Sequence, residues 1–241
     1  MTRLRTRLPE RAPRENSLPE GRDKARAVRA MFDAIAPRYD LVNRVMTFRM
    51  DVGWRRRTVR ALQLPHASIV LDLACGTGDL CRELARGGLS PIGFDFSAGM
   101  LAAARTTAPL VRADVLRLPV PDAIADGVTC GFALRNLVAL DAFADELARV
   151  VRPGGRIALL ETAEPPNPVV RWGHGVYFGK VVPRVGGWLS DPDAYRYLPR
   201  SVAYLPAPDA LVALFRRAGF PDLRRTRLAG GIAQLLTGTR Q

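Results

Sequence analysis

The sequence predicts an α/β fold: an open, doubly wound, Rossmann-like sheet, mostly parallel, with helices on both faces. Three observations carry that expectation. The stretch Val70-Leu71-Asp72-Leu73-Ala74-Cys75-Gly76-Thr77-Gly78-Asp79-Leu80 passes from an apolar run through an acid and two glycines into a helical pattern. A second apolar run closes on another acid at Gly93-Phe94-Asp95, nineteen residues after Gly76. Beyond them strand-like and helix-like segments alternate, the pattern of parallel strands joined by crossover helices.

Residues 1–21 hold Arg3, Arg5, Arg7, Arg11 and Arg14 with three prolines and no apolar periodicity, and read as a disordered arm. Residues 22–241 read as a single domain. Within 22–64, Val28, Met31, Phe32 and Ile35 share a helical face that ends at Pro37. Tyr39, Leu41, Val42, Val45, Met46 and Phe48 make a second helical segment, and Trp54–Leu62 a third. Such helices could pack only as support, or roof a pocket at the strand ends.

Residues 65–164 form the ligand-binding core. Strands are expected at Ile69–Ala74, Pro91–Phe96, Leu110–Arg112, Gly127–Phe132 and Gly155–Glu161, with helices at Asp79–Arg86, Ala98–Arg105 and Asp141–Val151. Pro153-Gly154-Gly155 reads as a sharp turn that ends the last helix and starts the last of these strands. Residues 165–206, rich in Pro, Gly and aromatic side chains, read as a helical lid. A helix at Asp209–Ala218 and strands near Leu223–Leu228 and Ile232–Gly238 close the domain over 207–241.

With 241 residues, 48% hydrophobic and 24% charged, the chain can bury the core of one soluble α/β domain. No apolar run approaches the ~20 residues of a membrane span. The charged amino terminus lacks the apolar segment of a secretory signal. Three cysteines without C-x-x-C spacing and two histidines argue against a metal site and for a reducing cytoplasm. The net charge of +13 comes from a basic set that, Lys24 and Lys180 aside, is all arginine. No aromatic interleaving or recognition-helix pattern accompanies it, so nucleic acid is not the expected partner. Contact with anionic lipid at a membrane face suits the arginines, and so does a plain solvated surface.

The two acids set the ligand chemistry. Gly76 and Gly78 let backbone approach a ligand closely, and Asp95 stands where this fold type hydrogen-bonds ribose hydroxyls. Asp72 and Asp79 flank the turn. A pyrophosphate wants bare amides and positive potential there, whereas an ammonium and a sulfonium want carboxylates. The pattern also lacks the third glycine of the dinucleotide fingerprint. S-Adenosylmethionine is therefore the expected cofactor. Asp114, after the third strand, could accept from an adenine amino group or simply cap a turn.

At this point the chain resembles the class I S-adenosylmethionine-dependent methyltransferases, and more closely the ubiquinone/menaquinone biosynthesis C-methyltransferase family. The resemblance rests on Met31-Phe32-Asp33-x-Ile35-Ala36-x-x-Tyr39-Asp40, the glycine turn, Phe132-Ala133-Leu134-Arg135-Asn136, Arg149-Val150-Val151-Arg152-Pro153-Gly154-Gly155-Arg156 and Tyr195-Arg196-Tyr197-Leu198. It implies a seven-stranded sheet with the last strand antiparallel. It implies cofactor contacts from Thr77, Asp95, Asp114 and Val115, and a backbone contact at Gly131, where the family usually carries serine. The implied substrate is a demethylated polyprenyl quinol of menaquinone or ubiquinone biosynthesis, which gains a ring methyl. The chain departs from the family at Glu161-Thr162-Ala163, Gln234-Leu235-Leu236 and Thr239, positions expected on or close to the substrate side.

A ring carbon becomes nucleophilic when a neighbouring hydroxyl loses its proton, so the site needs a base and a phenolate stabiliser. The resemblance gives Arg135, with Asn136 beside it, a role on the substrate. Because arginine stays protonated, that role is to hold the phenolate and orient water, with a structural ion pair as the plainer reading. Tyr39, Asp40, His174 and Tyr177 are the further substrate-side candidates. Another phenolic or polyketide acceptor, or a non-catalytic S-adenosylmethionine-binding protein, are the competing functions. Oligomeric state is open, with a homodimer compatible.

Overall fold

The computed structural model describes residues 21–177, 179 and 201–241. Seven strands form one sheet: β1 (Ile69–Leu73), β2 (Ser90–Asp95), β3 (Leu110–Arg112), β4 (Ala125–Gly131), β5 (Val151–Thr162), β6 (Arg224–Leu228) and β7 (Ala233–Thr239). Their order is β3-β2-β1-β4-β5-β7-β6. Neighbours among β1 to β5 pair in parallel, and β7 runs antiparallel between β5 and β6.

Side-chain alternation builds a core on each face. Leu71, Leu73, Ile157, Leu159 and Leu236 enter the larger core with α6 (Leu140–Val150) and α8 (Pro208–Arg217). Val70, Ala158, Leu160 and Leu235 enter the other, against α3 (Met50–Leu62) and α4 (Asp79–Arg86). A third cluster joins α1 (Gly21–Ile35) and α2 (Tyr39–Met46) to α5 (Ala98–Ala102) through Ile35, Val42, Met46 and Met100. Full burial of each such side chain contributes roughly 1.5–3 kcal/mol, enough to hold these helices over the strand ends.

Several expected boundaries move, for physical reasons. The helix from Ala98 stops at Ala102 because the Arg105 backbone N–H turns back to the Thr77 carbonyl at 3.1 Å. Helix α3 starts at Met50, ahead of the expected Trp54, where Arg49 at φ +61° breaks the chain direction. The Pro153-Gly154-Gly155 turn does not precede β5 but lies inside it. Val151 pairs with Ala125, then the register jumps so that Arg156 pairs with Gly127. Leu236, expected close to the substrate side, is fully buried in the core because its strand is flanked on both edges. Thr239 instead bonds Asp222 at the far end of β7. The expected arm, apart from Gly21, and the lid residues Tyr195, Arg196, Tyr197 and Leu198 lie outside the described residues.

Candidate functional site

The sheet order reverses between β1 and β4, which opens a crevice at their carboxyl ends. The chain leaves β1 through Ala74 and Cys75, whose N–H donates to the Phe94 carbonyl at 3.0 Å. Gly78 holds φ +80°, and a Cβ there would meet Thr106 Cγ2 at 2.7 Å, so the turn admits only glycine at that position. Asp95 closes β2 and is pinned: Gly76 N–H donates to one carboxylate oxygen and Ser97 N–H to the other, both at 2.8 Å. Burial raises its pKa, and those N–H groups pull the other way.

Asp95 lines a cavity of about 110 Å³ together with Gly76, Asp114, Val115, Gly131, Asn136 and the apolar Phe32, Phe96 and Met100. Asp114 accepts the Leu116 N–H at 3.0 Å, which leaves its second oxygen for another donor. A Cβ on Gly131 would meet Leu80 Cδ1 at 2.8 Å, so the missing side chain makes room for that leucine. In a chain this rich in arginine, the charged side chains that the described residues place on the cavity wall are Asp95 and Asp114, both acidic. A phosphate ligand would find no counter-charge there.

Asp72, Thr77 and Gly78 do not reach this wall. Asp72 is fully buried beneath the turn, with Thr129 Oγ1 donating to one oxygen at 2.8 Å and Cys81 Sγ to the other at 3.3 Å. Burial lifts its pKa to about 6. The expectation that Asp72 grips a ligand directly is therefore corrected: its carboxylate braces β4 and α4. Thr77 donates its hydroxyl to Asp40, so Asp40 ties α2 to the glycine turn and does not line either cavity. Asp79 is likewise occupied, by Arg82, Arg55 and Arg44.

A second cavity of about 600 Å³ lies alongside, and it shares Tyr39 and Phe132 with the first. Phe132 leaves β4 at φ +60°, a conformation an aromatic residue rarely adopts, which turns its ring between the two spaces. Burial raises the pKa of Tyr39. His174 and Tyr177 also line the second cavity, and the Tyr177 hydroxyl donates to the Met46 carbonyl at 2.9 Å. Helix α7 (Pro168–Val176) thereby forms one wall; burial lowers the His174 pKa.

Arg135 faces the second cavity while Asn136 faces the first. The Arg135 guanidinium is paired with Glu161, which is fully buried, and donates to Ser201 Oγ at 3.1 Å and the Phe132 carbonyl at 2.8 Å. From α1, Lys24 donates to the Arg135 and Leu137 carbonyls at 3.0 and 2.9 Å, with its amine 3.6 Å from the Tyr204 ring centre. Burial lowers its pKa to about 8. Sequence reading missed Lys24, Asp51 and the Glu161 contact. The sign available for Lys24 was a lone lysine among arginines on an otherwise apolar helix face; nothing local marked the other two.

Among the described residues, no helix is long and apolar enough to cross a membrane and no group of three His, Cys, Asp or Glu could hold a metal. A protein described as a SAM-dependent methyltransferase, possible histamine N-methyltransferase, from Thermotoga maritima has the same fold, with a TM-score of 0.65 at 16% identity over 88% of this chain and 99% of that one. A demethylmenaquinone methyltransferase of Roseiflexus castenholzii is 40% identical over 94% of this chain and 98% of its own. One from Thermus thermophilus is 43% identical over 87% and 100%. The profile of the ubiE/COQ5 methyltransferase family matches residues 20–240. The chain belongs to the ubiE/COQ5 methyltransferase family.

Proposed function

We propose that this protein methylates a ring carbon of a demethylated polyprenyl quinol, in quinone biosynthesis, with S-adenosylmethionine as donor. The observation that carries the reading is the pair of cavities meeting at Tyr39 and Phe132, one whose charged groups, among the described residues, are both acids, and the other large and mostly apolar. The first fits the donor: Asp95 for the ribose hydroxyls, Asp114 for the adenine amino group, Val115 and Met100 for the base faces, and Gly131 with Asn136 toward the amino-acid end. Asp72, Thr77 and Gly78 support that wall from behind. When bound, the donor supplies a methyl group already activated on a sulfonium.

The chain's own residues then have to align the acceptor and exclude water. Alignment of this kind contributes on the order of 7–11 kcal/mol. Tyr39 and Phe132 bound the passage through which the acceptor carbon meets the methyl group. Arg135 contributes positive charge toward the acceptor oxygen, with Glu161 and Ser201 fixing its orientation. Exposed Phe48 and Val170 at the mouth suit an isoprenoid tail and a peripheral position on an anionic membrane.

Calorimetry with S-adenosylmethionine, then mass analysis after incubation with a quinol mixture, tests this. Binding followed by a one-methylene mass gain on a demethylated quinol supports it, and binding with no product identifies a scaffold. A second reading, a different phenolic acceptor, draws on Thr162 and Ala163, family departures that lie on the acceptor wall. Product confined to non-quinone phenols favours it.

A further inference from the structure

The acceptor cavity holds one buried carboxylate that sequence reading did not single out. Asp51 is 1% exposed and lines that cavity together with Arg55. One of its oxygens accepts the Thr47 hydroxyl at 2.7 Å, and the other is paired with Arg55. The second nitrogen of Arg55 lies 3.3 Å from Asp79 at the start of α4, and its guanidinium carbon lies 5.9 Å from the Phe132 ring centre. The Asp51–Arg55 pair therefore sits beside the passage between the cavities. Glu164, the other carboxylate on that wall among the described residues, is two-thirds exposed and paired with Arg171.

We propose that Asp51 is the base that takes the acceptor's hydroxyl proton, with Arg55 holding the resulting phenolate. The proposal rests on the methyl-transfer reading above. Each Asp51 oxygen keeps a lone pair beyond its present partner, so a hydroxyl in the cavity can donate to it. Arginine cannot serve as the base, so Arg135 contributes charge toward the acceptor oxygen and does not take its proton. The transfer creates no net charge: Asp51 becomes neutral as the acceptor oxygen becomes negative, and Arg55 compensates either one.

The atoms balance. The acceptor O–H bond breaks, its proton goes to Asp51, and its electron pair moves through the ring to the attacking carbon. That carbon forms the new bond to the methyl group, whose former bonding pair stays on sulfur. The ring C–H proton then leaves to water as aromaticity returns, and Asp51 gives its own proton back to the oxygen. One proton is released per methyl transferred.

The test uses the full chain, wild type and Asp51→Asn, with a demethylated naphthoquinol and a series of ring-halogenated naphthols of increasing hydroxyl acidity. Donor affinity, read by calorimetry, should not change. Turnover on the naphthoquinol should fall roughly 10²–10⁴-fold, the usual contribution of a general base, and the loss should shrink as the acceptor becomes more acidic. A loss of equal size along the whole series, or no loss, overturns the proposal. If Asp51→Asn does not fold, Asp51→Glu keeps the charge while displacing the carboxylate, and the same dependence on acidity decides. Wild-type protein that methylates none of these acceptors sinks the functional reading; wild type and variant that do so equally sink only the role of Asp51.

Discussion

Glu161 grips Arg135 at both ends, accepting the backbone N–H of Arg135 at 3.2 Å through one oxygen and pairing with its guanidinium through the other. The carboxylate is fully buried at the end of β5, and the guanidinium lies on the acceptor wall. A central strand thus fixes a charged side chain that would otherwise carry about 2 kcal/mol of rotamer entropy.

Removing Glu161 leaves that guanidinium uncompensated. Glu161→Ala should lower unfolding free energy by about 3–5 kcal/mol, measured by urea titration. Arg135→Met combined with Glu161→Leu should recover most of the stability and none of the turnover. Recovery of turnover in the double variant would exclude a role for Arg135 in the reaction. Arg135→Ala alone should keep donor affinity near normal while losing most activity.

Asp95 is held in place by two backbone N–H groups and faces the donor cavity. Asp95→Asn keeps its size but turns an acceptor into a donor on one side. Hydrogen bonds to a charged group are worth about 1.5–3 kcal/mol, so S-adenosylmethionine affinity should weaken by roughly one to two orders of magnitude. Isothermal calorimetry reads this directly; unchanged affinity removes Asp95 from the ribose role.

The Asp72 carboxyl gives a pH dependence with a definite sign. Burial raises its folded pKa from the ordinary 3.8 to about 6, so between those values the folded state binds more proton than the unfolded. Stability from this group is therefore greatest at low pH and falls as pH rises through that window. Relative to Asp72→Asn, the wild type should lose about 2 kcal/mol between pH 4 and 6.5 and change little above. Parallel denaturant titrations across that range check it, and a difference that is flat with pH contradicts it.

Tyr39 separates the two cavities. Tyr39→Phe keeps the ring and should retain most activity, whereas Tyr39→Ala joins the spaces and admits water. A loss of about two orders of magnitude in turnover, with donor affinity little altered, is expected if alignment is the main task. Equal activity in both variants would show that the ring plays no part.

The parallel sheet was readable because buried strands are near-continuous apolar runs, and the glycine turn because Gly78 has no substitute. Depth was not readable. An acid at a strand end looks the same whether it lines an open cavity, as Asp95 does, or sits sealed under Thr129 and Cys81, as Asp72 does. Thr129 comes from β4, 57 residues along the chain, and Cys81 is turned back onto the carboxylate by α4. The pairing of Arg135 with Glu161 and the approach of Arg55 to Phe132 are equally tertiary facts. Leu236 misled because a family position was transferred without its packing, and in this chain it is core.

The outer rows of the sheet have a consequence of their own. At one margin β3 contributes three residues, too few to template another strand. At the other, β6 reads Arg224-Arg225-Thr226-Arg227-Leu228, so an incoming chain would meet guanidinium groups along the unpaired backbone. Both margins thus discourage edge-to-edge pairing of sheets into aggregates. Part of this protein's surplus of arginine is accounted for by solubility, without any ligand.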